Sequence, residues 1–444
     1  MSRRPLIASQ IVALLGSAAA YGLLAYATPR PAFGQLLLLF AAAFGGYAWL
    51  LHRPLPVRSG LLAALLLRLL WLPALPALSD DYHRFRWDGA LVAAGQNPYR
   101  ARPDELAGPA AARAAAPSSP LAALYPRMNS PHYYSVYPPV CQAIFGAASW
   151  LFPSNERGFV LMLRLVLLAA EAGTALLLLA LLRHFGLAAE KGFLYLLNPL
   201  VIVELTGNLH FEALLICGLL AALWALARGR RGLSAAALAL SIGAKLLPLL
   251  LLPLLLRRLG WQAFLKYAAL VAGGLLLLFI PFLTTELVQN VGRSLDLYFH
   301  KFEFNASLYY LARAIGYQLS GYNEIAHIGT GLGVLAVVWL AAVIRLEKQP
   351  TLRTLPAAAL AALTGYYLLA TTVHPWYLTP LVALSVLTRW RFAVVWSGAA
   401  VLSYGAYRSA VYAENLALVA LEYAVVLTVL GWEIWHRKRA SAAL

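Results

Sequence analysis

Two carboxylates stand side by side at Asp80-Asp81, where an apolar run ends and the string Tyr82-His83-Arg84-Phe85-Arg86-Trp87-Asp88-Gly89 begins. A carboxylate within hydrogen-bond reach of an alcohol can take its proton as a general base. The rigid start of a helix, capped by Ser79, would hold one there. The bland alternative for one of the pair is a helix cap. Further polar groups recur at the ends of apolar runs: Tyr137 in Asn129–Pro139, Asn208, His210 and Glu212 in the link Leu205–Glu212, His300-Lys301 and Asn305, His374 and Tyr377, and Arg408. Ordinary loop polarity and an interfacial aromatic belt compete with a substrate-binding reading of these. Lys245 is the one charged residue within Leu233–Leu256. A charge in hydrocarbon costs at least about 2.5–3.5 kcal/mol. Unless Lys245 snorkels to the surface, an anion such as a phosphate is its natural partner. Arg84 and Asp88, one turn apart, complete the candidate substrate-binding set. Arg68, Arg164 and Glu171 suit structural pairs between spans.

The elements that position these residues follow from composition. Of 444 residues 61% are hydrophobic and 12% charged, with 35 Lys+Arg against 18 Asp+Glu and a net charge of +17. A soluble domain carries roughly 25% charged residues. A cytosolic globular enzyme, a disordered chain and a disulfide-rich secreted module are therefore excluded, the last also because Cys141 and Cys217 are the only cysteines. An all-α polytopic membrane protein remains. Spans of roughly 20 apolar residues are expected to start at Ile7, Ala32, Leu61, Gly158, Gly192, Phe211, Ala263, Ile328, Thr354, Trp376, Phe392 and Leu416. Leu233–Leu256, with Pro248 and Pro253, reads as a broken hairpin, for about 12–14 crossings in all.

The basic residues set the orientation. Most fall on alternate short loops, which places both termini in the cytoplasm and argues against nucleic acid as a partner. The acids gather on the opposite side. Residues 79–157 form a first long outer loop with juxtamembrane helices: one ended by Asn97-Pro98 and lying along the interface through Tyr82, Phe85 and Leu91-Val92, an Ala/Pro linker over Arg102–Pro120, and a non-crossing Pro138–Phe152. The remaining divisions are 1–78 (N-terminal spans), 158–282 (central spans), 283–327 (second long outer loop) and 328–444 (C-terminal spans).

The string Asp81–Gly89 followed by Gly95-x-Asn97-Pro98-Tyr99 resembles the first-loop signature of the GT-C polyprenol-phosphate-mannose-dependent mannosyltransferases. Tyr137-Pro138-Pro139, Asn208-x-His210-x-Glu212, Gly243-Ala244-Lys245-x-x-Pro248, Phe304-Asn305 and His374-Pro375-Trp376-Tyr377 follow in the family's order. The resemblance implies a GT-C-type bundle and an inverting transfer of a sugar, mannose by analogy. The donor would be a polyprenyl phosphate and the acceptor a lipid-linked species or glycan, met on the extracytoplasmic face; the Ala/Leu-rich composition points to a bacterial source and so to a bacterial plasma membrane. It implies Asp81 as general base with Asp80 as rival, Glu212 or His210 orienting acceptor or sugar, and Lys245 facing the donor phosphate. The chain departs from family members that place the acid after the first span, since two further spans precede it here. No nucleotide-binding loop is expected, because the donor is a lipid; no cofactor or metal is expected either. The alternative, a transporter or flippase for a lipid-linked sugar, would need an internal repeat and polar groups near the midplane, and no repeat is evident.

Overall fold

A computed structural model describes residues 7–107, 123–409 and 412–442. Most of the expected Ala/Pro linker lies outside the described residues. Where described, the chain is helical without β-strands; a single parallel bridge pairs Phe304 with Thr372. Among the described residues six helices are long and apolar enough to cross a membrane: Ala8–Tyr26, Phe33–His52, Glu156–His184, Trp261–Phe282, Ile325–Leu346 and Leu416–Arg439. Leu15, Leu38, Leu176, Leu277 and Val337 on these helices are each 65–71% exposed. Water would not tolerate so much bared leucine on one protein, whereas lipid favours it. The chain is a multi-pass membrane protein.

The other apolar segments are shorter, as expected for the non-crossing Pro138–Phe152 and the first part of Leu233–Leu256 but not for the spans from Thr354, Trp376 and Phe392. Pro139–Leu151, Arg231–Ala244, Leu355–Leu369, Pro375–Val386 and Phe392–Tyr407 form helices of 10–17 residues. The region expected to hold spans from Gly192 and Phe211 is instead a pair of helices, Pro199–Gly207 and Glu212–Ala227, bent by 113°. Pro199 is the physical reason for the first interruption: it cannot continue a helix from Phe193–Leu196. The Asn198 side chain caps the new start, accepting from the Val201 N–H at 3.3 Å.

Two compact units interleave along the chain. One comprises residues 1–71, 178–205 and 299–444; the other comprises 72–177 and 206–298. Within the first, the Tyr47 hydroxyl donates to the Leu194 carbonyl at 2.7 Å, and the Arg68 guanidinium donates to the carbonyls of Ala64 and Leu196. Within the second, Glu212–Ala227 packs along Arg231–Ala244. Gly218 permits the approach: a Cβ there would lie 2.8 Å from that of Ser241. The Ser241 hydroxyl donates across the contact to the Leu215 carbonyl at 2.7 Å.

The break expected within Leu233–Leu256 falls at Lys245. The helix ends at Ala244, Lys245 is extended (φ −158°, ψ 136°), and a 3-10 segment runs over Leu247–Leu255. Proline at 248 has no N–H for the Ala244 carbonyl. The thiol of Cys141 donates to that carbonyl instead, at 3.0 Å.

Candidate active site

Asp81 opens the helix Asp81–Ala93, with Asp80 at the cap position and the Ser79 hydroxyl accepting weakly from the Asp81 N–H at 3.4 Å. An acid in the first turn complements the helix dipole. Asp81, Phe85 and Asp88 recur at i, i+4 and i+7, so they share one face. Tyr82, Phe85 and Leu91, expected along the membrane interface, are at most 5% exposed. The helix is buried within its unit because glycines let it press against Pro139–Leu151. A Cβ on Gly89 would lie 2.4 Å from the Phe145 carbonyl oxygen, and one on Gly146 would lie 2.4 Å from Val92 Cγ1.

Arg84 and Asp88 are spent inside the protein. They pair at 2.8 Å and are 3% and 0% exposed. Arg84 also donates to the carbonyls of Ser130 and Tyr133 at 3.0 and 2.9 Å. Asp88 accepts from the Ser135 hydroxyl at 2.5 Å and the Gln142 amide at 3.1 Å. These bonds lay the Asn129–Tyr137 segment along the helix. Its first residue then reaches the helix mouth, where the Asn129 amide donates to Asp81 Oδ1 at 3.1 Å. Asp80 and Asp81 are each half-buried.

The second polar link is joined to this helix by aromatic rings. Phe85 stacks on Phe145 (4.6 Å) and meets Tyr137 (5.0 Å) and Phe211 (5.6 Å) edge-on. Phe211 immediately precedes Glu212. Arg164 ties the same two segments through their backbones. Fully buried, it donates to the carbonyls of Leu72 and Ala74, upstream of Asp80, and of Thr206 and Gly207, upstream of His210. Arg164 was expected in a pair between spans; its bonds to four carbonyls instead bring the Asp80-Asp81 and His210–Glu212 segments to one place.

Lys245, exposed by the helix break, forms an ion pair with Glu212. The Lys245 side chain is 29% exposed and that of Glu212 is 2% exposed. The second carboxylate oxygen of Glu212 is buried without a protein hydrogen bond. Asn208 and His210 are buried beside it in the sequence. This one unit thus assembles a half-exposed acid pair, a buried carboxylate and a lysine at a helix break. Among the described residues no three His, Cys, Asp or Glu side chains gather as metal ligands.

An ionic cluster that sequence reasoning missed supports the acid pair. Glu156 lies 3.1 Å from Arg127, 3.6 Å from Arg86 and 3.8 Å from His83. Burial, then the Arg127 charge, holds the His83 imidazole below its usual proton affinity. The alternation of His83 and Arg86 on the helix was the only available sign; Glu156 is too distant in sequence to be matched to them.

The other unit holds the remaining candidates. Phe304 bonds the backbone on either side of Thr372, its N–H donating to the Thr371 carbonyl at 3.0 Å and its carbonyl accepting from the Val373 N–H at 2.8 Å. Rings then stack from Phe304 to His374 (4.6 Å) and from His374 to Trp376 (4.4 Å), with Tyr377 edge-on at 5.2 Å. Asn305 is fully buried in left-handed geometry (φ 48°). Its N–H donates to Glu414 at 2.5 Å, its side-chain amide to Glu422 at 3.2 Å, and its carbonyl accepts from Tyr423 at 2.7 Å. Burial raises the Glu414 carboxyl to about 7, against the lowering effect of the Asn305 N–H. His300 pairs with Thr330 at 3.0 Å, while Lys301 and Arg408 are exposed. Asn305, His374 and Tyr377 are therefore neighbours.

No curated protein matches the chain. Residues 9–260, the stretch that carries Asp80, Asp81, His210, Glu212 and Lys245, match the profile of the MptA_B family, described as alpha-(1->6)-mannopyranosyltransferase, N-terminal domain. That match covers more than half of the 444 residues, and the chain belongs to this family of membrane mannosyltransferases.

Proposed function

We infer that the protein is a GT-C-type enzyme transferring mannose from a polyprenyl-phosphate donor to a hydroxyl acceptor, with inversion. The observation that carries this reading is the presence, in one unit, of the helix-mouth carboxylate Asp81 and of Lys245 at a helix break. The acceptor oxygen attacks the anomeric carbon while Asp81 takes its proton, and the bond from that carbon to the phosphate oxygen breaks. The departing phosphate needs no acid, being a good leaving group; its charge is met by Lys245. The unbonded oxygen of Glu212 is suited to accept from a sugar hydroxyl. The family's description, alpha-(1->6), would make the acceptor group a C6 hydroxyl and, with inversion, the donor linkage β.

Asp80 stands as the rival base. Arg84 and Asp88 act as positioning residues, because their bonds are internal. Substrate roles for Tyr137, Asn305, His374 and Tyr377 are supported by the resemblance of their motifs, and those for His300, Lys301 and Arg408 by their place at the ends of apolar runs. The distribution of basic residues supports cytoplasmic termini, the resemblance supports a reaction on the extracytoplasmic face, and the Ala/Leu-rich composition supports a bacterial inner membrane, with envelope glycans as the setting. The test is incubation of purified protein with radiolabelled polyprenyl-phosphate mannose and a mannoside acceptor. An α-(1→6) product is expected; label incorporated only from a sugar nucleotide would overturn the donor assignment.

A further inference from the structure

Four cations crowd one end of the unit formed by residues 1–71, 178–205 and 299–444. The Lys191 amine donates to the Thr388 carbonyl at 3.1 Å. Arg391 donates to the carbonyls of Ser385, Thr388 and Trp390. Arg437 donates to the Arg389 carbonyl at 2.6 Å and lies over the Trp390 ring at 4.0 Å. All four basic side chains thus sit on or around one turn, 387–391, between the apolar segments Pro375–Val386 and Phe392–Tyr407.

The local acids do not balance them. Glu433 is buried, and its oxygens accept from the backbone N–H groups of Arg391 and Phe392. Glu190 is the other acid in these segments and is exposed. Burial, then the charges of Arg391 and Arg389, holds the Lys191 amine below its usual range, a sign that these cations repel one another. Such a cluster gains from an added anion.

A second observation gives the depth of the cluster. Trp432 and Trp435 are 59% and 48% exposed on the same final stretch of the Leu416–Arg439 span, and Arg439 lies 3.8 Å over the Trp435 ring. Tryptophans with cations at the end of a span mark the headgroup level of a bilayer. Basic pockets at that level, between helices, hold anionic lipid headgroups.

We propose that Lys191, Arg389, Arg391 and Arg437 form a binding site for the phosphate of an anionic phospholipid. Arg391, bonded to three carbonyls, builds the turn, and Lys191, Arg389 and Arg437 supply charge to the phosphate. Lipid binding there does not depend on the transfer chemistry.

The test is native mass spectrometry of the full chain from micelles doped equally with phosphatidylglycerol and phosphatidylcholine. Selective retention of phosphatidylglycerol is expected, and Arg389→Gln/Arg437→Gln should weaken it roughly tenfold or more. Arg389→Lys alone should keep it, since lysine retains the charge; Lys191→Gln gives a milder loss if the double glutamine variant fails to fold. Equal retention of both lipids, or full retention in both glutamine variants, overturns the site. Inorganic phosphate serves as competitor. Displacement of the lipid by tens of millimolar phosphate overturns the lipid as occupant in favour of free phosphate; persistence confirms that the acyl chains are read as well.

Discussion

The thiol of Cys141 lies 3.0 Å from the carbonyl oxygen of Ala244, the acceptor that Pro248 leaves without a helical donor. One buried cysteine thus stabilises the helix end from which Lys245 emerges. Cys141→Ala leaves that carbonyl unpaired at a cost of about 1–3 kcal/mol. The expected outcome is a lowered melting temperature together with a raised KM for donor, while Cys141→Ser retains both; a melting temperature unchanged in the alanine variant would remove the bond's importance.

Asp81→Asn keeps the shape and a hydrogen bond to Asn129 but removes the base. General-base catalysis contributes roughly 10²–10⁴-fold, so transfer falls by about that factor with near-normal thermal stability. Asp80→Asn made in parallel decides between the two acids. If only the Asp80 variant loses transfer, the base is Asp80.

The pair formed by Lys245 and Glu212 separates stability from chemistry. Lys245→Ala strands a buried carboxylate and costs about 3–5 kcal/mol. The double variant Lys245→Met/Glu212→Leu recovers most of that stability, because apolar residues tolerate the site, yet does not recover donor use. Recovery of normal donor dependence in the double variant would show that Lys245 has no role toward the phosphate.

Gly89 permits the contact that sets the direction of the Asp81 helix. Gly89→Ala places a methyl 2.4 Å from the Phe145 carbonyl oxygen, so the helices must separate. The cost is about 1–3 kcal/mol of overpacking. Thermal unfolding and transfer assays should both decline, with Gly95→Ala, where no neighbour lies within 4 Å but φ is +72°, affecting the turn rather than this contact.

Glu414 gives a pH dependence. Its carboxyl is raised from 4.5 to about 7, chiefly by burial. A raised carboxyl stabilises the fold while protonated. Its contribution is therefore complete below about pH 4.5 and is lost as pH rises through about 7. Half-exposure limits the change to about 2 kcal/mol. Melting curves between pH 5 and 8 should fall more steeply for the native protein than for Glu414→Gln; parallel curves would show that Glu414 does not titrate there.

The class of fold was legible in the sequence because lipid is an unforgiving solvent: long apolar runs and scarce charges leave few alternatives to helices. A break within Leu233–Leu256 was legible too, since proline lacks an N–H wherever it is placed, and so was the place of Asp80-Asp81 at the end of an apolar run. What the tertiary structure decided was partnership. Asn129 lies 48 residues from Asp81, Arg164 lies 90 from Ala74, and Cys141 lies 103 from Ala244. No local pattern pairs residues at such separations. Arg84 and Asp88 looked ready for a ligand until packing showed them bonded within the protein, and the expected spans near Gly192 and Phe211 became a pair of helices bent between Gly207 and Glu212. Side-chain type gives each group its chemistry, but only the folded chain determines whether that capacity is used internally or left for a substrate.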